Sequence, residues 1–414
     1  MSKRYLIYCF VVLTLLLTPH KAGAQTAIPY GPERLLAMGN DDLIGTSRYV
    51  GLCGAMTAVG GDPSAVKLNP AGLGIYRHSQ FSVTGEGQFR RFWQQDNTTR
   101  GPLYARWHLA QISYVIALTH PQRVAGVVSN NIMISYAKRA NIVRHITLND
   151  YASRVAGQDW IETTIDESGY RNDADIHYAM NVSNRFYWGI GFTLEWLQLR
   201  QTLDRREYNT LNRRGTAQEY DYTYNAQGRA VGCAGSIGFL VHPVQALRIG
   251  ASLESPVVGR MRETDYYTET IRYLDSQGGS VLYDSPDYAS NWQMTTPLKF
   301  SAGIGLQWRE HGLLSLQYDL QYHKLLGVAH TARAGLEVVL GRHWMIDAGY
   351  TYATLYKRQR ASVGLNYVGR WLRVGAAYSH GWSRGTILDW YYGTQQGLFR
   401  TNENKIALTF QWNT

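Results

Sequence analysis

The sequence has little charge and, after its first two dozen residues, no long uninterrupted apolar stretch. Asp, Glu, Lys and Arg make up only 17% of its 414 residues. Beyond the N-terminus, charged or strongly polar residues interrupt every apolar run well before the roughly 18 residues that indicate a membrane-spanning helix. The basic residues include no run of five or more, whereas nucleic-acid binding relies on clustered basic residues. These absences argue against a helical membrane protein and against a nucleic-acid partner.

Cysteine and clustered histidine are also scarce. Of the three cysteines, Cys53 and Cys233 lie outside the apolar N-terminus. We expect no disulfide between them, because Cys53 lies in a compact N-terminal stretch and Cys233 at an outward-facing strand position. No Cys/His spacing is typical of zinc, and the 12 histidines form neither a tract nor a paired spacing for haem. The sequence therefore predicts no cofactor and no metal.

Residues 1–24 are predicted to form a signal peptide. Two basic residues, Lys3 and Arg4, precede an apolar core at 6–18, and small residues follow at 22–24. An apolar core of about 13 residues is shorter than the roughly 20 needed to cross a bilayer as a helix. We place cleavage after Ala24, with a retained N-terminal anchor as the alternative. Removal of this peptide lowers the net charge from +10 to +7.

From Ser79 onward, apolar or aromatic residues alternate with small or polar ones. The clearest segment is 186–196, and 298–308, 314–322 and 371–379 repeat the pattern over nine to eleven residues. A tilted strand that crosses a membrane requires this length, whereas strands of soluble β-sandwiches have about five or six residues. The 30 Tyr, 12 Trp and 41 Gly residues suit strands that face lipid on one side.

The fold class predicted is all-β, a fourteen-stranded antiparallel transmembrane β-barrel. Its strands are predicted near residues 79–92, 104–119, 123–137, 173–183, 185–200, 229–241, 245–257, 296–308, 312–324, 330–340, 343–353, 358–368, 370–380 and 402–413. Tight turns are predicted at 120–122, 183–185, 242–244, 309–312, 341–343 and 368–370, and long polar connections at 138–172, 201–228, 258–295 and 381–401. In outer-membrane barrels tight turns face the periplasm, so an even strand number places the C-terminus there. We expect the aromatic last strand to be recognised by the barrel-assembly machinery and to close the sheet, which avoids an open edge in hydrocarbon.

Residues 25–77 lack strand character and are assigned to a plug ahead of the barrel at 78–414. Gly60, Gly61 and Asp62, followed by a proline, separate two helix-length pieces, and Asn69 with Pro70 ends the second. Fourteen strands enclose a lumen between that of eight strands, which side chains fill, and that of the open porins. We therefore expect an N-terminal hatch in the lumen. Inward-facing small residues leave room for it: Gly189, Gly191, Gly303, Gly305, Gly364 and Gly375.

Three motifs of this stretch carry a family resemblance. They are Gly45-Thr46-Ser47-Arg48-Tyr49, Ala58-Val59-Gly60-Gly61-Asp62-Pro63-Ser64-Ala65 and Asn69-Pro70-Ala71-Gly72-Leu73. Together with a signal peptide and fourteen strands, the sequence resembles the FadL/TodX family of outer-membrane transporters for hydrophobic compounds. The resemblance implies capture of a hydrophobic ligand, a shift of the hatch, and sideways release into the membrane through a break in the third strand. Asn69 is the residue we expect to matter most, because it can bond local backbone at the turn fixed by Pro70 or reach that break.

The third strand, near 124–134, is irregular in sequence. Asn130 and Gly126 share the phase of its apolar residues, and an amide facing hydrocarbon is costly unless it finds a partner. A kink or bulge there would open the wall, so Gly126, Ser129, Asn130 and Asn131 are the candidate lateral opening. The alternative is that the strand register is displaced by one residue.

Two functions share this predicted fold. One is transport of hydrophobic small molecules, of the long-chain fatty acid or hydrocarbon type. The other resembles the PorV branch of the superfamily, an outer-membrane component of type IX secretion that binds exported cargo proteins, and the Tyr-rich segment 258–295 suits such a contact. Loops 94–103 and 201–228 show no apolar helical pair that would form a groove for a fatty acid, so the ligand is implied only by the resemblance.

An outer-membrane hydrolase is a third class and is not expected. It would need a Ser/His pair with a third group that orients the histidine. His177, His323 and His330 lie in or near strands, but no neighbouring sequence marks a nucleophile. We therefore predict that the protein is not an enzyme, with a hydrophobic small molecule and membrane lipid as its partners.

Overall fold

The computed structural model describes residues 42–93, 100–124, 126–151, 159–209, 218–273, 280–308, 311–323, 327–354, 357–388 and 396–413. The predicted signal peptide and the first part of the predicted plug lie outside the described residues.

Fourteen antiparallel strands form the wall, as the sequence predicts. They are β1 Gln80–Trp93, β2 Arg100–Val124, β3 Val127–Tyr151, β4 Asp159–Val182, β5 Phe186–Asn209, β6 Gln218–Val244, β7 Leu247–Glu254 with Val258–Tyr273, β8 Ser280–Asp284 with Tyr288–Thr295 and Leu298–Trp308, β9 Gly312–His323, β10 Gly327–Leu340, β11 Trp344–Ala353, β12 Arg358–Val368, β13 Leu372–Leu388 and β14 Gln396–Asn413. Each strand pairs with its neighbours along the chain, and β1 also pairs with β14, from Gln80 opposite Asn413 to Trp93 opposite Arg400. The sheet is therefore a closed barrel.

Prolines divide β7 and β8 into pieces. Pro256 lies in the interruption of β7, and Pro286 and Pro297 lie in the two interruptions of β8. Proline has no N–H to donate to a ladder and is therefore confined to edges, strand starts and bulges. The pieces still count as single strands, because both parts of β7 pair with β6.

The two faces of the wall have opposite chemistry. On β5, Ile190 is 47% and Phe192 54% exposed on the outer face, whereas Thr193 and Glu195 on the inner face are buried. The same alternation places Ile304 and Leu316 outside on β8 and β9. The outer face is thus an apolar belt with a polar interior behind it, in the phase that the sequence predicts.

Several strands are much longer than predicted. β2 to β6 have 24 to 27 residues, whereas β9 to β12 have 10 to 14. Most of 138–172 and 201–228, which the sequence suggests are polar connections, continues the ladders of β3 to β6. Beyond the apolar belt both faces of a strand meet polar surroundings, so the alternation that marks a strand in the sequence disappears there.

Two predicted turns are wrong. Residues 120–122 lie within β2 and 242–244 within β6, and the turns come later, at Gly126 and at 245–246. Both stretches contain a proline and coincide with irregular register, between Thr119 and Val124 and between Val241 and Val244. The prolines occupy strand-end bulges, which tolerate a missing donor.

The N-terminal segment, defined here as residues 42–78, is helical in short pieces. It contains α1 Ser47–Gly51, α2 Pro63–Leu68 and a 3-10 helix at Pro70–Ile75. The separation of the two α-helices around Gly60 and Gly61 agrees with the sequence prediction. None of the helices in the described part of the chain is long and apolar enough to cross a membrane.

Candidate functional site

Asn69 joins three parts of the structure. Its Oδ1 atom accepts a hydrogen bond from the Ala71 N–H (3.1 Å), which starts the 3-10 helix at Pro70. Its Nδ2 group donates to the carbonyl of Thr57 (2.7 Å) and to that of Phe239 on β6 (3.1 Å). The local role predicted for Asn69 is therefore present, and its distant contact is with β6, not with β3.

The glycine turn and the Asn-Pro-Ala-Gly motif pack against each other. Gly60 and Gly61 have φ of 63° and 66°, a region that glycine adopts readily. The Gly61 N–H donates to the carbonyl of Gly72 (3.1 Å). A Cβ on Gly60 would lie 2.8 Å from the Cα of Gly72. The two candidate motifs thus form one unit in which neither Gly60 nor Gly72 has room for a side chain.

Asp62 organises the start of α2. Its carboxylate accepts hydrogen bonds from the Ser64 N–H (2.9 Å) and from the Thr46 hydroxyl (2.8 and 2.9 Å). It is completely buried. Burial raises the pKa of the Asp62 carboxyl, because the loss of hydration outweighs the charge of Arg48 and these hydrogen bonds. Asp62 therefore ties α2 to the residue that caps α1.

The N-terminal segment approaches the wall most closely at inward-facing glycines of the strands. A Cβ on Gly189 of β5 would come within 2.6 Å of the backbone of Pro70, and one on Gly238 of β6 within 1.9 Å of Asn69 Oδ1. Gly303, Gly305, Gly364 and Gly375 also have atoms of the segment within 4 Å of a built Cβ. Of the six glycines predicted to make room, Gly191 is the exception, since it faces His177 and Ser236.

Polar side chains of the wall satisfy the backbone of the segment. Arg333 and Thr351 both donate to the carbonyl of Cys53 (3.0 and 3.1 Å), and Arg248 donates to that of Val59 (3.0 Å). Two ion pairs add to this, Arg48 with Glu337 (2.5 Å) and Lys67 with Asp173 (2.5 Å). The partners of the segment are spread over every strand from β2 to β14 (Gln111, Asn131, Asp173, Gly189, Phe239, Arg248, Gly303, Gln317, Arg333, Thr351, Asn366, Gly375 and Thr409). A polar interior of this kind holds irregular backbone without leaving its groups unpaired.

The four candidate residues at the third strand have different positions. Gly126 lies in the turn before β3, with φ of 79°, and not in the strand as predicted. A bulge follows at Val128, where the register with β4 shifts. Asn130 faces outward and accepts a hydrogen bond from the Tyr178 hydroxyl (3.2 Å), as expected for a polar residue in an apolar face.

Ser129 and Asn131 face inward and hold the N-terminal segment. The Asn131 Nδ2 group donates to the carbonyls of Leu73 (2.8 Å) and Tyr76 (3.0 Å), and Ser129 accepts from Arg77 (3.2 Å). Residues 129–131 are paired with β2 on one side and with β4 on the other.

The wall has an interruption further along the same strands. The ladder between β2 and β3 begins at Gln111 opposite Ala137 and runs only toward the turn at Gly126. Among the described residues, no ladder joins 100–110 of β2 to 138–151 of β3; the former pair with β1 and the latter with β4. Register shifts at Ala110 and Arg139 mark the point of separation. We call these two stretches, which are not paired with each other, the β2–β3 seam.

Side chains and the N-terminal segment close this seam. Arg90 of β1 donates to the carbonyls of Val143 (3.1 Å) and Asn141 (3.4 Å) on the free edge of β3. The Asn141 side chain donates to Gln88 (2.8 Å) and lies 3.3 Å from the His108 ring. The seam residues were missed in the sequence, where the only signal is the loss of alternation around 138–141.

Asp42 connects the segment to the same edge. Its N–H donates to the carbonyl of Arg139 (3.0 Å), and its carboxylate accepts from the Asn141 N–H (3.1 Å). An unpaired strand edge would otherwise present free N–H and C=O groups. The N-terminal segment thus occupies the place that a neighbouring strand would take.

A cavity of about 270 Å³ lies between the segment and the seam. Asp42, Tyr49 and Lys67 of the segment line it, together with wall residues from β1 to β4 and from β7 to β14. Its lining contains nine Lys or Arg residues but five Asp or Glu residues. Arg358 lines it without an ion pair to any described residue. The lining of the cavity therefore carries an excess of formal positive charge.

The two cysteines have unlike surroundings. Cys53 is buried in the N-terminal segment and Cys233 is exposed on the outer face of β6, and both are free. Burial raises the pKa of the Cys53 thiol in spite of its hydrogen bond with Ser362. Within the part of the chain that the structure describes, no three His, Cys, Asp or Glu residues are grouped to hold a metal ion.

Comparisons with known proteins agree on the fold. No protein-family model and no curated protein matches this sequence. Solved structures do match. The toluene transporter TodX of P. putida has 14% identity and a TM-score of 0.60, over 90% of this chain and 99% of that chain. A Pseudomonas aeruginosa FadL homologue has 11% identity and a TM-score of 0.62, over 91% and 99%. The Ralstonia pickettii toluene transporter TbuX has 13% identity and a TM-score of 0.58, over 90% and 99%. TodX and TbuX are described as toluene transporters, and at such identities the chain shares with these neighbours the fold of the FadL and TodX proteins.

Proposed function

We propose that the protein is an outer-membrane transporter of hydrophobic small molecules. The apolar outer belt suits lipid contact, and the tight turns, including the one at 341–343, face the periplasm with the C-terminus. The N-terminal segment acts as the hatch, with the Asn69 motif and the turn at Gly60 as its rigid centre. The ligand leaves sideways through the wall.

The observation that carries this proposal is the pair of hydrogen bonds between Asp42 and the free edge of β3, one donated by the Asp42 N–H and one accepted by its carboxylate. The same residue belongs to the segment and completes the wall at the seam. Movement of the hatch would therefore withdraw the groups that cover the edge at Arg139 and Asn141. Hatch movement and lateral release become one event.

The lining of the cavity bears on the class of ligand. A cavity with more basic than acidic side chains suits an apolar molecule with an acidic end better than a plain hydrocarbon. Arg358, with no ion pair to a described residue, is available to such an end. Of the two classes considered from the sequence, the fatty acid type is favoured.

A covalent staple across the seam tests the exit route. In a Cys233→Ser background, His108→Cys with Asn141→Cys places two thiols where the side chains lie 3.3 Å apart. Joined by a short bifunctional thiol reagent, this pair should abolish uptake of a labelled long-chain fatty acid into cells. The reduced, unlinked pair should still transport.

Two matched pairs serve as controls. Ile346→Cys with Leu365→Cys staples β11 to β12 on the outer face, where a continuous ladder exists, and should leave uptake unchanged. Leu118→Cys with Asn130→Cys staples β2 to β3 near the turn at Gly126, where these two strands are paired. Loss of uptake with the Leu118/Asn130 pair but not with the seam pair would place the exit at the residues predicted from the sequence, between Gly126 and Asn131. Unchanged uptake with both pairs would contradict lateral release.

The secretion-type alternative is favoured by one observation. β4 to β8 continue beyond the apolar belt, and Tyr266 of β7 and Tyr288 of β8 are 42% and 49% exposed on this extension. Exposed aromatic residues are enriched at protein contacts. Capture of an exported protein that is lost with Tyr266→Ser and Tyr288→Ser, together with normal fatty acid uptake in that variant, would support the alternative.

A further inference from the structure

Four arginines form a cluster on the outer face of three neighbouring strands. Arg229 of β6 lies directly opposite Arg262 of β7. Arg260 is two residues before Arg262 on the same face, and Arg200 of β5 is two residues beyond Gln198, the partner of Arg229. All four side chains are exposed. We call this group the arginine cluster.

The cluster lies at the edge of the apolar belt. On β5 the belt runs from Phe186 to Trp196, which corresponds to about 33 Å along a strand and about 25 Å across a bilayer at the usual tilt. Val231 and Val258, 58% and 50% exposed, end the belt on β6 and β7. The arginines follow at once, on the side of the belt opposite to the tight turns.

The directly opposed pair of the cluster, Arg229 and Arg262, has no acidic neighbour on the outer face of the described strands. None of the four arginines forms an ion pair with a described residue. The cross-strand and diagonal neighbours of Arg229, Arg260 and Arg262 on the outer face, such as Gln227, Thr264 and Asn291, are uncharged. Arg200 lies diagonally from Asp166 of β4, whose carboxylate contacts the His145 ring (2.5 Å). Glu195 and Glu263 are buried on the inner face. Like charges placed directly opposite each other in a sheet are destabilising. The arrangement is therefore unfavourable unless an anion from outside the chain joins it.

We infer that the arginine cluster binds the phosphate groups of a phosphorylated lipid in the outer leaflet. Guanidinium groups bind phosphate through paired, charge-assisted hydrogen bonds. The height of the cluster, directly beyond the apolar belt, coincides with the level of lipid head groups, so the phosphate comes from lipid and not from solution. The inference rests on the proposed placement in the outer membrane.

The test measures lipid binding to the purified full chain in detergent. Bisphosphorylated lipid A is titrated, and bound molecules are counted by native mass spectrometry. Arg229→Gln with Arg262→Gln should weaken binding about tenfold or more. Arg229→Lys with Arg262→Lys, which keeps the charge, should retain most of it. Arg342→Gln removes one exposed charge at a tight turn and should have no effect. Heat-dependent migration on gels confirms that each variant is folded.

Three results would overturn the inference. They are equal affinity of the glutamine variant and the parent protein, equal binding of dephosphorylated lipid A, and displacement of lipid A by an equimolar concentration of inorganic phosphate. The stability difference between the glutamine variant and the parent should change sign with lipid A. In uncharged detergent the variant should unfold at a higher denaturant concentration than the parent, because the repulsion between arginines is removed. With lipid A bound, the variant should unfold at a lower denaturant concentration than the parent. Since no transport is measured, failure here is distinguishable from failure of the transport proposal.

Discussion

Asn69 shows that one buried side chain can connect several separate parts of the structure. Its amide links the start of the 3-10 helix, the preceding loop at Thr57 and strand β6. The sequence predicted the first link, because an asparagine before a proline is typical of a turn. The other two depend on which strand lies opposite, and no local pattern encodes that.

Adding one methyl group opposite Asn69 should loosen the N-terminal segment. A Cβ on Gly238 would lie 1.9 Å from Asn69 Oδ1, whereas for one on Gly235 of the same strand the nearest atom is the Gly191 carbonyl oxygen, at 3.9 Å. We expect Gly238→Ala to cost about 1–3 kcal/mol, as overpacking does, and Gly235→Ala to cost little. Hydrogen exchange at the Ala71 amide measures the effect, and equal exchange in both variants would mean that the contact at Gly238 is not tight.

At the scale of strands, the sequence predicts the part of the wall that separates apolar from polar surroundings. All fourteen strands follow from the alternation that Phe186 to Trp196 exemplifies. The continuations of β3 to β6 cannot be predicted from this alternation, because residues such as Thr164 and Thr202 face polar surroundings where no alternation is required. The seam is also invisible, since it is defined by a ladder that is missing.

Removal of the Asp42 carboxylate should expose the edge of β3. The Asn141 N–H donates to this carboxylate (3.1 Å). Hydrogen bonds to charged groups contribute about 1.5–3 kcal/mol, so Asp42→Ala should accelerate exchange of the Asn141 amide about tenfold or more. Asp42→Asn keeps an acceptor oxygen and should have a smaller effect. An unchanged rate in Asp42→Ala would remove Asp42 from the seam.

At the scale of the whole molecule, the apolar belt predicts which thiols a reagent can reach. Cys233 lies on the outer face within the belt, and Cys53 is buried. In intact cells a lipid-soluble maleimide should label Cys233, a charged maleimide should label neither cysteine, and Cys233→Ser should remove all labelling. Arg342→Cys, in a tight turn, should react with the charged reagent only after the periplasm is opened. Labelling of this variant from outside would reverse the proposed orientation.

The closure of the wall has a consequence for the order of folding. Gln80 and Asn413 are hydrogen-bonded across 333 residues of sequence, so the ring is completed only after the last strand is made. Contacts at such separation form slowly, because the chain between them must first be ordered. The N-terminal segment is synthesised first and contacts β2 through β14, including Ser47 with Thr409. Each strand from β2 to β14 thus has a contact in the N-terminal segment, so we expect the segment to assist closure of the wall.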